Sequence, residues 1–154
     1  MCYNISEVIF LCVYYSHNVE ETYRIGERLG SKLRSGDVVA YFGGMGMGKT
    51  TFTHGLATGL GINEKDVSSP TFAIVNVYGK NSELCHFDMY RVSSWDDLYS
   101  TGFFDYMDMG SVLCVEWSEN IENALPDNTV RVTIEKGEGD DDRIITVDGC
   151  DFEI

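Results

Sequence analysis

Gly43-Gly44-Met45-Gly46-Met47-Gly48-Lys49-Thr50 has the G-x-x-x-x-G-K-[ST] spacing of a phosphate-binding loop. Glycines lack a Cβ, so the backbone can curl until several N–H groups face one concavity. Lys49 then supplies a point charge for the β and γ phosphates, and the Thr50 hydroxyl is a hard oxygen donor suited to Mg²⁺. The pattern earns weight from its flanks. Val38-Val39-Ala40-Tyr41-Phe42 reads as a buried strand entering the loop, and Thr51 to Leu60 reads as a helix leaving it with its positive end toward the same anion. The expected nucleotide-contacting set is Gly43, Gly44, Met45, Gly46, Met47, Gly48, Lys49, Thr50 and Thr51.

Two carboxylates follow buried runs. Asp88 ends Leu84-Cys85-His86-Phe87, and Glu116 ends Val112-Leu113-Cys114-Val115. In open α/β sheets ligands gather at the carboxyl ends of strands. One such acid holds Mg²⁺ and the other orients or deprotonates an attacking water in phosphate-transfer sites.

Composition bounds the rest. A chain of 154 residues with 44% apolar content is one domain of ordinary size with ample core. Its net charge of −14 opposes direct binding to a nucleic-acid backbone. The five cysteines are scattered, odd in number and form no C-x-x-C pair, which argues for a reducing cytosol and against a disulfide frame or zinc site. Val8 to Tyr15 is apolar but has no preceding Lys or Arg and is too short to span a bilayer, so an edge strand is expected there, with no membrane partner.

The elements that position the motif alternate. Ser16 or Asn18 can cap a helix, with Glu21 three residues after Asn18 as a capping-box partner, and Ile25, Leu29 and Leu33 mark its buried stripe. Gly59 and Gly61 stop the helix after the glycine loop. Phe72–Tyr78 and Leu84–Phe87 read as a hairpin about Gly79 to Ser82. A short helix near Trp95–Tyr99, a strand at Val112–Val115 and a short helix over Glu119–Leu125 follow. Thr129–Glu135 and Arg143–Val147 close the chain as a hairpin around an acidic loop. The expected fold is α/β: one P-loop NTPase-like domain over 1–154, with a mixed, mostly parallel sheet flanked by helices and a C-terminal β-hairpin. Residues 1–15 form an N-terminal strand or extension, and 16–148 the core.

Beside the loop and the acids stand Ser69-Pro70-Thr71-Phe72, His86-Phe87-Asp88-Met89-Tyr90-Arg91 and Val115-Glu116-Trp117. In this order and spacing, over about Ser16 to Asp148, the chain resembles the bacterial tRNA threonylcarbamoyladenosine biosynthesis ATPase family (TsaE, also YjeE). The resemblance implies a small cytoplasmic P-loop ATPase needed for N6-threonylcarbamoyladenosine at position 37 of tRNA. It implies ATP and Mg²⁺ as cofactors and two sugar-kinase-like proteins as partners, with tRNA met only indirectly. Low intrinsic hydrolysis that depends on those partners is expected. By motif, Lys49 grips phosphate, Thr50 and Asp88 ligate Mg²⁺, and Glu116 is the hydrolytic acid at the metal site. Thr71 lies in a switch-like loop that senses the γ-phosphate or Mg²⁺. The family loop usually reads G-D/N-L-G-A/S-G-K-T, and Gly44, Met45 and Met47 depart from it.

Other residues carry plainer expectations. His86 reads as a core histidine with its hydrogen bonds met, Trp117 as packing, and Arg91 as a structural or partner-facing cation rather than an arginine finger. Met45 and Met47 are expected to cover the loop from outside, and Asp140-Asp141-Asp142 to form a solvated hairpin tip. A GTPase is disfavoured because no N-K-x-D or D-x-x-G string occurs, and a nucleotide kinase because the six arginines are dispersed. The main rival to an ATPase is an ATP-gated interaction module in which hydrolysis is incidental, and a generic small P-loop NTPase or kinase is the further alternative.

Overall fold

A computed structural model describes residues 2–6, 9–70, 73–81, 83–150 and 152–154, with backbone alone for 2–6, 9 and 10. Its eight strands are β1 (Cys2–Ser6), β2 (Ile9–Ser16), β3 (Val38–Phe42), β4 (Val75–Tyr78), β5 (Leu84–Asp88), β6 (Val112–Glu116), β7 (Val130–Lys136) and β8 (Arg143–Cys150). They form one sheet in the order β1-β2-β8-β7-β3-β6-β5-β4. The central run β7-β3-β6-β5 is parallel throughout, and the flanking pairs β4–β5, β7–β8, β2–β8 and β1–β2 are antiparallel. The sheet is therefore mixed, with a parallel centre and the expected C-terminal hairpin, β7–β8.

Helices cover both faces of that centre, which is why its strands read as continuous apolar runs. Alternate residues divide between two cores. Val39, Tyr41, Val112 and Cys114 face α1 (Val19–Gly30) and α2 (Lys49–Gly59), packing with Ile25, Leu29, Phe52 and Leu56. Val38, Leu113, Val115, Cys85 and Phe87 face α3 (Trp95–Ser100) and α4 (Phe103–Asp108), packing with Leu98 and Phe103. The short α4 was not anticipated; its six residues carry too little periodicity to separate from a loop.

Local signals account for the helix ends. The Asn18 side chain accepts from the Glu21 amide at 2.9 Å, while the Glu21 carboxylate accepts from the His17 amide at 2.7 Å. This satisfies one first-turn amide that has no intrahelical partner, that of Glu21, and the amide of His17 just before the cap. Helix α2 begins at Lys49, two residues before the expected Thr51, and ends at Gly59 with Gly61 in the left-handed region (φ 80°). Two strands, rather than one, are described at the N-terminus; β1 is the edge and β2 is sandwiched between β1 and β8.

One expectation fails: Cys12 is disulfide-bonded, while Cys85, Cys114 and Cys150 are free. Scattered spacing along a chain says little about which cysteines a hairpin brings opposite one another, and β1–β2 pairing sets Cys2 against Cys12.

Helices α1 and α2 approach through small residues. A Cβ on Gly26 would collide with the Phe52 carbonyl, and one on Gly55 with the Tyr23 carbonyl. Gly30 and Gly59, four residues further along each helix, meet the partner backbone in the same way. This close approach holds the start of α2, and hence Lys49, against the sheet. Gly55→Ala is expected to destabilise the fold by about 1–3 kcal/mol through overpacking, read as a lower urea midpoint with an unchanged slope; an unshifted midpoint would mean that the helices lie farther apart.

Candidate functional site

The glycine loop leaves β3 at its carboxyl end and returns into α2. Gly43 has φ 118°, and a Cβ there would strike the Ile134 carbonyl, so both the dihedral and the space demand glycine. Gly48, with φ 105°, is the N-cap of α2. It turns the chain so that the first amides of the helix point out of the loop, where an anion meets both unpaired N–H groups and the helix dipole. The Lys49 ammonium donates to the Gly43 and Gly44 carbonyls at 3.1 and 2.8 Å, folding back along the loop.

Asp88 and Glu116 stand opposite one another. They are register partners at the ends of the parallel strands β5 and β6, and β6 pairs with β3. Three adjacent strands thus deliver the loop and both acids to one edge of the sheet. A cavity of about 730 Å³ opens there. Met45, Gly46, Gly48, Lys49, Thr50, Asp88 and Glu116 line it from the loop and strand ends, and Ala73, Ile74, Tyr90, Arg91 and Trp117 complete its lining. Of the expected set, Gly43, Gly44, Met47 and Thr51 are not in its lining. Thr71 lies outside the described residues.

The two acids differ in surroundings. One Asp88 oxygen accepts from the Tyr90 amide at 2.9 Å, fixing the turn that follows β5. Glu116 is 8% exposed, and its carboxylate lies 2.9 Å from His86 Nε2. His86 is fully buried, and its other ring nitrogen has no hydrogen-bond partner. The expectation of a fully satisfied core histidine is therefore half met. The usable signal was the two-residue offset from Asp88, which places both side chains on one face of β5.

Glu116 leads into Trp117, whose φ of 56° makes it the one non-glycine residue in the left-handed region among the described residues. Such conformations cost about 1–3 kcal/mol and persist only where neighbours enforce them. Here Ser118 donates to the Tyr41 carbonyl at 2.8 Å, and the Asn120 amide donates to the Met89 carbonyl at 2.9 Å. The half-buried Trp117 ring meets Tyr90 at 4.9 Å between centroids. It is thus both packed and part of the cavity wall.

Beneath the loop runs a buried polar set. Thr53 Oγ1 lies 2.9 Å from the Lys49 carbonyl and 3.0 Å from the Tyr41 hydroxyl, which is 3.7 Å from Cys114 Sγ. Burial raises the Tyr41 phenol well above its ordinary range and pushes the Cys114 thiol up to about 12. Burial likewise raises Cys85. Both sulfurs therefore stay protonated, which removes them as nucleophiles.

Two expectations about the outer side change. Met45 is exposed, at 83%, but Met47 packs against the α1–α2 core. In the acidic hairpin, Asp142 is engaged: it lies 3.0 Å from His17 Nδ1 and accepts from the Gly139 amide at 2.9 Å. The His17 hydrogen bond lowers the Asp142 carboxyl below its ordinary range and raises His17. Next to it Arg143 donates through Nε to the Met47 carbonyl at 2.9 Å and through Nη1 to the Asp140 and Asp142 carbonyls. One guanidinium thus ties the closing hairpin to the glycine loop, across a separation of 96 residues that no local pattern reveals.

This architecture defines a P-loop NTPase-like α/β protein. Residues 16–145 match the family described as "Threonylcarbamoyl adenosine biosynthesis protein TsaE". The tRNA threonylcarbamoyladenosine biosynthesis protein TsaE of Treponema pallidum is 37% identical over 86% of this chain and 96% of its own length. That of Bacillus subtilis is 40% identical over 84% and 80%. A crystal structure of Bacillus subtilis YdiB superposes with a TM-score of 0.71 at 33% identity, covering 93% of this chain and 88% of that one. The chain belongs to the TsaE family, which takes part in threonylcarbamoyladenosine biosynthesis on tRNA. No helix among the described residues is long and apolar enough to cross a membrane.

Arg143→Ala is expected to speed hydrogen exchange of the Phe52 amide, which donates to the loop carbonyl of Gly48, by about tenfold while the central strands stay protected, as local opening requires. Unchanged exchange would show that the loop holds its shape without the guanidinium.

Proposed function

We propose that the chain is an ATP hydrolase that supports threonylcarbamoylation of tRNA by binding and energising two sugar-kinase-like partner proteins, meeting tRNA only through them. The observation that carries this reading is the single cavity shared by the glycine loop, Lys49, Thr50, Asp88 and Glu116. Its volume, about 730 Å³, is in the range of nucleotide-sized ligands.

The loop amides and the start of α2 bind the phosphates, and Lys49 leaves its carbonyl partners to meet the β and γ oxygens. Among the described residues no group of three or more His, Cys, Asp or Glu side chains is placed to hold an ion alone. Mg²⁺ in phosphate sites takes one or two carboxylates and completes its shell with phosphate oxygens and waters. The Thr50 hydroxyl with Asp88 and Glu116 offers a set of that kind. Bound there, Mg²⁺ would offset negative charge on the phosphates. Glu116, held in the cavity wall, accepts a hydrogen bond from the attacking water and aligns it with the γ-phosphorus. By its family motif, Thr71 would sense the γ-phosphate. Turnover by the chain alone should be slow, because the part of the lining that Ala73, Tyr90 and Arg91 form is exposed and a partner is needed to close it.

Lys49→Ala is expected to weaken ATP binding by about ten- to a hundredfold, the worth of a lost charge-assisted contact; unchanged affinity by calorimetry would overturn the phosphate assignment. Glu116→Gln is expected to bind ATP and both partners normally and to stop multiple rounds of tRNA modification in a reconstituted system. Full support of modification by that variant would instead make the chain an ATP-gated docking module.

A further inference from the structure

His86 is fully buried in β5, yet it is not a packing residue with a polar edge left over. Its Nε2 lies 2.9 Å from the Glu116 carboxylate, and its Nδ1 meets no partner. A carboxylate only accepts, so the imidazole donates from Nε2, and Nδ1 is left without a partner inside the core. The Tyr41 ring stands edge-on at 6.5 Å, on the side toward the loop helix. An apolar side chain would fill this position without stranding a nitrogen. The unpartnered nitrogen is tolerated for the one hydrogen bond that the ring makes.

We propose that His86 is a positioning residue for Glu116: its Nε2–H occupies one carboxylate oxygen, fixes the rotamer at the end of β6, and leaves the other oxygen to face the cavity. Glu116 is the last residue of its strand and precedes the left-handed Trp117, so the backbone on its carboxyl side no longer follows the sheet. A carboxylate at such a break needs a lateral hold. The neighbouring strand supplies it, because β5 and β6 are in parallel register and Asp88 pairs with Glu116, with His86 two residues behind on the same face. Asp88 and Glu116 thereby take different jobs although they are register partners. Asp88 is bound by the Tyr90 amide at the solvent side, and Glu116 is held from inside the core.

This inference rests on the hydrolase reading, and the experiment separates the two. Single-turnover ATP hydrolysis by an excess of the 154-residue chain is measured for wild type, His86→Leu, His86→Gln, Glu116→Gln and the double variant His86→Leu/Glu116→Gln, with ATP affinity by calorimetry. His86→Leu is expected to slow the chemical step roughly ten- to a hundredfold, as small misplacement of a reacting group does, with affinity within about twofold. His86→Gln, whose amide can donate in place of Nε2–H, should recover most of the rate. In the Glu116→Gln background His86→Leu should change nothing further, a non-additivity that a general packing defect would not produce. A wild-type rate in His86→Leu beside an impaired Glu116→Gln overturns the positioning role alone. A wild-type rate in Glu116→Gln removes the catalytic role of Glu116 and the inference with it, whereas no hydrolysis by the wild-type chain removes the hydrolase reading itself. Should His86→Leu fail to fold, His86→Asn, which keeps an amide too short to reach Glu116, takes its place under the same criteria.

Discussion

Parallel pairing of β3, β6 and β5 is the constraint on which the rest of the molecule depends. Parallel strands end on the same edge of a sheet, so everything placed just past their carboxyl ends is brought together. The glycine loop follows β3, Asp88 ends β5 and Glu116 ends β6. Had β5 run antiparallel to β6, Asp88 and Glu116 would lie at opposite edges of the sheet. The pairing holds because both faces are buried by helices, and because alternate residues of each strand fill two separate cores.

Support for the site reaches it from both cores. On one face α1 and α2 close backbone to backbone through Gly26, Gly30, Gly55 and Gly59, which fixes where α2 begins. Through Thr53 and Tyr41 the same face connects the start of α2 to the central strands. His86 belongs to that polar layer, and Glu116 is its outermost member. At the sheet's other side the β7–β8 hairpin adds Arg143, whose hydrogen bonds end on three backbone carbonyls. The result is a rigid wall made of loop, strand ends and helix start, with an exposed lining of Ala73, Ile74, Tyr90 and Arg91.

The strong acidity of the chain, −14 overall, fits this division of labour. An acidic surface repels a nucleic-acid backbone, whereas loop amides and Lys49 at a concave site would still offer a positive rim to a phosphate, because aligned N–H groups and one ammonium act over a few ångströms. Local and global charge thus differ in sign without conflict.

The glycine loop, the strand before it, the helix after it, the Asn18–Glu21 capping box and both acids at strand ends were all legible in the residues, because each is a local pattern whose physics acts within a few positions. The closing hairpin was legible for the same reason. Pairings between distant segments were not. Nothing near Cys12 indicates that it is disulfide-bonded, nothing near Met47 that Arg143 holds its carbonyl, and nothing near Glu116 that a buried imidazole takes one of its oxygens. Met47 packing inward beside an outward Met45, and the strained backbone of Trp117, likewise depend on what surrounds them. Local chemistry determined which groups this protein can bring to a phosphate; strand order and helix packing decided which of them meet and from which side each is held, because contacts across the sheet join residues that the chain itself keeps tens of positions apart.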